Sequence, residues 1–291
     1  MGSRVLGDVP LAPEEVDGGI FGRILPPTIA PPGPPRTAPL PRTPRRPSSS
    51  PEGTLGSEAE PVEYHEHQHE TWARLCGLQR AAIRDRCAPA YSRGRGAIGP
   101  FCSRIPALRE LDRWLFATTG WHVVRADGYV EPLAFLELLA HQRFPCMDLL
   151  RHADEIFYSP EPDMYHDILG HLPMLCDEDF AEYYLVFGIA GKRIRHAEQV
   201  LALNRIYWFT MEFGLVKSDR EPLAYGAALL TGLRELETSN GRAVKTLPFS
   251  VDAAIATPTD IRKVNEVLYV AESFECLITE FIDWAKSERL L

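Results

Sequence analysis

The sequence predicts a mostly α-helical domain with a few short strands, placed behind a proline-rich N-terminal tail. Two observations carry that expectation. Of 25 prolines, 14 fall at or before Pro61, and from Val62 onward apolar residues recur at helical spacing in one segment after another. Residues 1–60 therefore read as a disordered tail and 61–291 as a single folded unit. About 230 residues suffice for a sizeable core. The tail segment PPTIAPPGPPRTAPLPRTPRRPSSSPEG offers almost nothing aromatic or β-branched to bury. Pro41, Pro44 and Pro47, interleaved with Arg42, Arg45 and Arg46, have the spacing of a ligand for a proline-binding module; a plain solvated tail is the competing reading.

The elements follow in order. HETWARLCGLQRAAIRDRC puts Trp72, Leu75, Cys76, Leu78 and Ile83 on a helical stripe. LRELDRWLFATTG is a second helix, stopped by Gly120. WHVV, Gly128 and YVEPL read as a short hairpin, and PLAFLELLAHQRF as a helix with Pro132 near its start. EPDMYHDILGHLPML is helical but disturbed at Gly170 and Pro173. DEDFAEYYLVFGIAG, AEQVLALNRIYWFTMEFGLV and AYGAALLTGLRELETS are further helices, and a last one is expected from about Ile261 to Leu291.

Composition excludes several classes. Lys plus Arg number 31 against 40 Asp plus Glu, a formal charge of −9, which argues against a nucleic-acid partner. No apolar run approaches the roughly 20 residues of a membrane span. The first residues lack the apolar core of a signal peptide, and the six cysteines show no CxxC spacing, so reduced thiols and a cytoplasmic location are expected.

The most informative residues are His166 and His171 in HDILGH, followed 41 positions later by Glu212 in YWFTMEFGL. Two imidazoles and one carboxylate form a facial set that leaves positions on an Fe(II) ion open. On a regular helix residues five apart diverge by about 140°, so both histidines reach one metal only if the helix is irregular there. Gly170 and Pro173 supply that irregularity. His65, His67 and His69 suggest a second cluster, but their place beside the tail favours a solvated face.

PEPDMYHDILGHLPML and IYWFTMEFGLV resemble blocks of the pterin-dependent aromatic amino acid hydroxylases, most closely the bacterial phenylalanine hydroxylases. ETW, TTGWHVV, FLELLAHQRFP, YSPEPD, AYGAALL and LYVAESF match in the same order, so the resemblance spans Val62 to Leu291. It implies that His166, His171 and Glu212 bind Fe(II). It also implies that a tetrahydrobiopterin or related reduced pterin and O₂ serve to hydroxylate the ring of a free amino acid. Phe135 then stacks on the pterin, Leu136 contacts it through its backbone, and Asp167 reaches it through water. Arg151, buttressed by Asp163, takes the substrate carboxylate, and Ser159 stands where the family has a threonine. Pro162, His166, Trp208 and Phe213 line the ring pocket, and Tyr207 lies near a metal-bound water.

Where the family carries AYGAGLLSS, this chain has Ala228, Thr231 and Gly232. Thr231 keeps a hydroxyl that can support a ligand histidine and border the substrate pocket. Trp208 and Ile261 stand as in phenylalanine hydroxylases, which implies conversion of phenylalanine to tyrosine; tryptophan hydroxylation and meta-hydroxylation are the alternatives. With no regulatory domain in front and no tetramerisation tail behind, a monomer is expected. A zinc hydrolase lacks the glutamate of HExxH, leaving only Asp167 as a base. A non-catalytic pterin- or amino-acid-binding protein has no need of all three metal donors.

Overall fold

The computed structural model describes residues 62–291 apart from 127, 129, 158, 160–161, 240–243 and 261–262. The proline-rich tail with its PxxP spacing, and Ile261, lie outside the described residues. Helix α1 (Glu66–Ala82) buries Trp72, Leu75 and Cys76 on the expected stripe. Helix α2 (Pro89–Ala97), not anticipated from its glycine- and arginine-rich sequence, begins with proline at its first position, where no N–H is needed. It packs so closely that a Cβ on Gly94 would lie 1.9 Å from the Pro173 carbonyl oxygen. Helix α3 (Leu108–Thr119) stops at Gly120, whose φ of 76° suits glycine.

Among the described residues the expected hairpin does not form. Strand β1 (His122–Ala126) instead pairs in parallel with β2 (Arg143–Met147), from His122 opposite Arg143 to Ala126 opposite Met147. Helix α4 (Pro132–Leu139) carries the chain back between them, which makes the second strand run the same way. Buried Val123, Phe144 and Cys146 reward that long-range pairing over a local turn. The same correction shortens the expected helix, which ends at Leu139 before the strand begins.

Next come α5 (Met164–His166), a π-helical turn (Asp167–His171) and α6 (Leu172–Leu175). Helix α7 (Glu178–Gly191) is capped by the Asp177 carboxylate, which accepts from the Phe180 N–H. It lies against α4, where a Cβ on Gly188 would come 2.2 Å from the Ala140 nitrogen. Helix α8 (Ala197–Tyr207) runs into a second π-helical turn (Trp208–Glu212). The expected helix ends there. Phe213 leaves helical geometry, and Leu215–Val216 form β3.

Strand β4 (Leu223–Ala224) precedes α9 (Ala227–Thr231) and α10 (Leu233–Ser239), one expected helix divided at Gly232. Strand β5 (Lys245–Pro248), helix α11 (Val251–Ala256), strand β6 (Val267–Ala271) and helix α12 (Phe274–Ser287) complete the chain. VLYVA was expected to be helical. It is a central strand in the order β4-β3-β6-β5, and its β-branched and aromatic side chains suit a sheet covered by helices. The core beneath is aromatic: Phe187 stacks on Phe281 of α12 with ring centroids 5.1 Å apart, and Tyr183 meets the same ring edge-on.

Candidate metal and substrate site

A π turn places residues i and i+5 as bonded neighbours, so the spacing that separates two histidines on an α-helix unites them here. His166 ends α5, His171 ends the π turn, and their Nε2 atoms lie 3.1 Å apart. The other ring nitrogens are engaged from outside. His166 Nδ1 is 3.0 Å from Thr231 Oγ1, and His171 Nδ1 is 2.8 Å from the Tyr184 hydroxyl. Thr231 donates its own proton to the Ala227 carbonyl at 2.7 Å, so it accepts from His166. His166 therefore carries its proton on Nδ1 and turns the Nε2 lone pair inward.

The second π turn brings Glu212 to the same point. Its Oε2 lies 3.4 Å from His166 Nε2 and its Oε1 3.3 Å from His171 Nε2. Burial pushes this carboxyl up, but the charge and hydrogen bonds that the two imidazoles offer in their protonated, metal-free form outweigh burial and hold it below its ordinary value. Among the described residues these three side chains are the group whose ligand atoms converge closely enough to hold a metal ion. A buried carboxylate facing two imidazole nitrogens suits a divalent first-row metal such as iron. The histidines of the 65–69 stretch do not join in: His65 and His67 stack on each other, and His69 Nδ1 accepts from the Ile105 N–H.

Two further groups flank the donors. Asp163 caps α5 by accepting from the His166 N–H, and the same carboxylate takes two guanidinium bonds from Arg151 at 2.9 and 2.8 Å and one from its backbone N–H. Burial works against the Arg151 charge, but Asp163 raises its pKa above the ordinary value. Arg151 also lies 4.7 Å from the centre of the Tyr165 ring. On the other side Trp208 packs its ring 4.6 Å from that of Phe213, while its indole N–H donates to Asn265 Oδ1 at 2.8 Å.

Residues 52–289 match the model of the biopterin-dependent aromatic amino acid hydroxylases. The chain belongs to that family. It is 35% identical to phenylalanine-4-hydroxylase of Pseudomonas aeruginosa over 72% of this chain and 79% of that protein. It is 34% identical to bovine tyrosine 3-monooxygenase over 73% of this chain but 44% of that protein. The fold superposes on phenylalanine hydroxylase of Chromobacterium violaceum, solved with iron(III) and 7,8-dihydrobiopterin bound. There the TM-score is 0.74 at 28% identity, over 78% of this chain and 83% of that one. The apo phenylalanine hydroxylase of Colwellia psychrerythraea gives 0.73 at 28% identity, over 81% and 94%.

In this hydroxylase the remaining sequence-derived residues lie as follows. Phe135 on α4 is half-buried, its ring edge-on to that of Tyr207 at 5.5 Å. Leu136 is buried and turned to α7, where a Cβ on Gly191 would meet its side chain at 2.7 Å. Asp167 accepts from the Met147 N–H at 2.8 Å, tying β2 to the π turn, and burial raises its carboxyl to about 7. Tyr207 is fully buried, its ring 6.2 Å from that of His171. Ser159 and Pro162 are half-buried on the segment leading into α5. The sequence reading missed Tyr184, Asn265 and a chain from α1 and α2 to the first π turn. Arg95 donates to Gln79, Gln79 to Tyr91, and both Tyr91 and Gln79 to the Leu169 carbonyl. One signal for that chain was present. The residue four after Leu169 is Pro173, which has no N–H to give.

Proposed function

We propose that this chain hydroxylates free phenylalanine to tyrosine, with iron held by His166, His171 and Glu212. The observation that carries the choice of substrate is the Trp208–Phe213 wall. The indole spends its N–H on Asn265, so the face beside Glu212 is apolar and bulky, which suits an unsubstituted phenyl ring better than an indole.

Bound iron and reduced pterin supply the activation of O₂, which side chains cannot perform. The chain's own residues do the rest. Thr231 and Tyr184 orient the two imidazoles, and Glu212 adds the negative charge that holds a divalent cation. Phe135 offers an aromatic face to a flat pterin, with Leu136 beside it, and Asp167 reaches the pterin through water. Arg151, kept planar and charged by Asp163, has donors left for the substrate carboxylate. Ser159, Pro162 and Thr231 border the amino acid, and buried Tyr207, beside His171, would stand near a metal-bound water. We place the reaction in the cytoplasm, in a monomer whose catalytic domain is residues 61–291. The six free thiols support a reducing compartment.

The test is product identification from phenylalanine, tyrosine and tryptophan offered in competition with Fe(II), O₂ and a tetrahydropterin. Para-tyrosine is expected as the main product, and Trp208→Phe narrows the preference over tryptophan by about tenfold. A wild-type preference for tryptophan or tyrosine overturns the substrate, and meta-tyrosine overturns the ring position.

A further inference from the structure

Away from the metal, α1 and the 3₁₀ turn Gly99–Cys102 enclose a cleft of about 270 Å³ lined by Cys76, Cys102, Arg80 and Arg95. Both thiols line it, within interaction range of one another. Cys76 is only 3% exposed, whereas Cys102 is half-buried at the cleft. Arg95 is itself 5% exposed and fixed: its Nε donates to Gln79 at 2.7 Å and its Nη2 to the Cys76 carbonyl at 3.3 Å. Its positive charge also acts on the Cys102 sulfur, which itself donates to the Ile98 carbonyl at 3.9 Å. Such a cluster is more than a pair of buried thiols. An open cleft gives a small oxidant access to one sulfur, an immobile guanidinium faces that sulfur, and a second thiol waits within interaction range behind it.

We infer that Cys76 and Cys102 form a peroxide-reactive pair, in which the Cys102 sulfur attacks and the Cys76 sulfur closes a disulfide. In the first step the Cys102 thiolate attacks one oxygen of hydrogen peroxide. The O–O bond breaks, a sulfenic acid forms, and the departing hydroxide takes a proton to become water. In the second step the Cys76 sulfur attacks the Cys102 sulfur, the S–O bond breaks, and the Cys76 proton leaves with the hydroxide as a second water. Two thiols lose two electrons, which reduce one peroxide to two waters. The electrostatics support the order of attack. The interaction with Cys76, then the charges of Arg95 and Arg80, lower the Cys102 thiol below its ordinary value, and the same pairing and burial raise Cys76. Sulfurs within interaction range on neighbouring elements are the arrangement from which a disulfide closes.

The test uses the full chain in chelator-treated buffer, so that iron does not react with the oxidant. Hydrogen peroxide is added for graded times, free thiols are then blocked, and peptides are mapped by mass spectrometry. The Cys76–Cys102 crosslink is expected about tenfold faster than any oxidation of exposed Cys276 in the same molecules, and dithiothreitol reverses it. In Cys76→Ser, dimedone is expected to trap a sulfenic acid on Cys102; in Cys102→Ser, Cys76 is expected to remain a thiol. Oxidation of Cys276 first, a crosslink joining other cysteines, or initial labelling of Cys76 in the wild-type chain overturns the assignment. The wild-type experiment decides it even if a serine variant fails to fold.

Discussion

The turns Asp167–His171 and Trp208–Glu212 are both π-helical, both buried and both deliver metal donors, yet their backbones are satisfied from different places. In the first, Pro173 cannot donate to the Leu169 carbonyl, and Tyr91 and Gln79 reach it from α2 and α1. In the second, Thr210 donates its hydroxyl to the Ile206 carbonyl at 2.7 Å, and the Trp208 carbonyl takes the Phe213 N–H. One turn depends on residues some eighty positions away in sequence; the other carries its own support. Packing differs in the same sense. A Cβ on Gly170 would touch the Ala227 side chain at 2.8 Å, whereas one on Gly226 would lie 2.4 Å from the Glu212 carbonyl oxygen itself. The lesson is that an irregular turn needs its freed polar groups answered, and that local and distant donors serve equally.

The hardest break removes a donor from either turn. His171→Ala and Glu212→Ala should each abolish stoichiometric metal binding, read by anaerobic titration with Fe(II) or Co(II). One-to-one binding retained in either variant would separate that turn from the metal site.

Next in size is the packing contrast. Gly226→Ala presses on backbone at 2.4 Å and should cost about 3 kcal/mol, with Gly170→Ala, whose nearest neighbour is the Ala227 methyl group and whose nearest backbone atom is 3.2 Å away, costing about 1 kcal/mol. Denaturant unfolding checks the order, and equal costs would show that the second turn yields as easily as the first.

The histidine supports come third. Thr231→Val and Tyr184→Phe remove the partners of His166 and His171 at Nδ1, and each should weaken metal affinity about 10- to 100-fold while the fold persists. Unchanged affinity in both would mean that packing alone aims the rings.

The smallest expected effect sharpens the contrast most. Tyr91→Phe removes the shorter of the two side-chain hydrogen bonds to the Leu169 carbonyl, leaving that of Gln79 at 3.4 Å, and should cost about 1–2 kcal/mol. Thr210→Val should cost about 1 kcal/mol, because one local hydroxyl is lost from a carbonyl in an otherwise bonded helix. Adding Gln79→Leu to Tyr91→Phe should further destabilise the first turn. A neutral Tyr91→Phe would show that this carbonyl is satisfied without α2.

Local chemistry made much of this legible. The stripe of Trp72, Leu75 and Cys76 gave α1, Gly120 marked the end of α3, and HDILGH with Glu212 pointed to the metal donors and to a distorted helix between them. The strands were harder. VLYVA has an apolar run that a helix or a covered strand can use equally well, and only its place between β3 and β5 settles which. The hairpin reading failed for a related reason: a turn is local, but the partner of β1 lies beyond a whole helix.

By itself, then, the sequence determined what acts through neighbours along the chain: helical periodicity, caps and stops, and the residue types able to hold a divalent metal. Tertiary structure alone decided which distant groups meet them. Tyr184 behind His171, Asn265 behind Trp208, Tyr91 beneath Leu169 and Cys102 against Cys76 are pairs whose members carry no mark of each other in sequence. Buried polar groups must be satisfied, but any donor brought within reach can do it, so the choice rests with the packing of the whole chain.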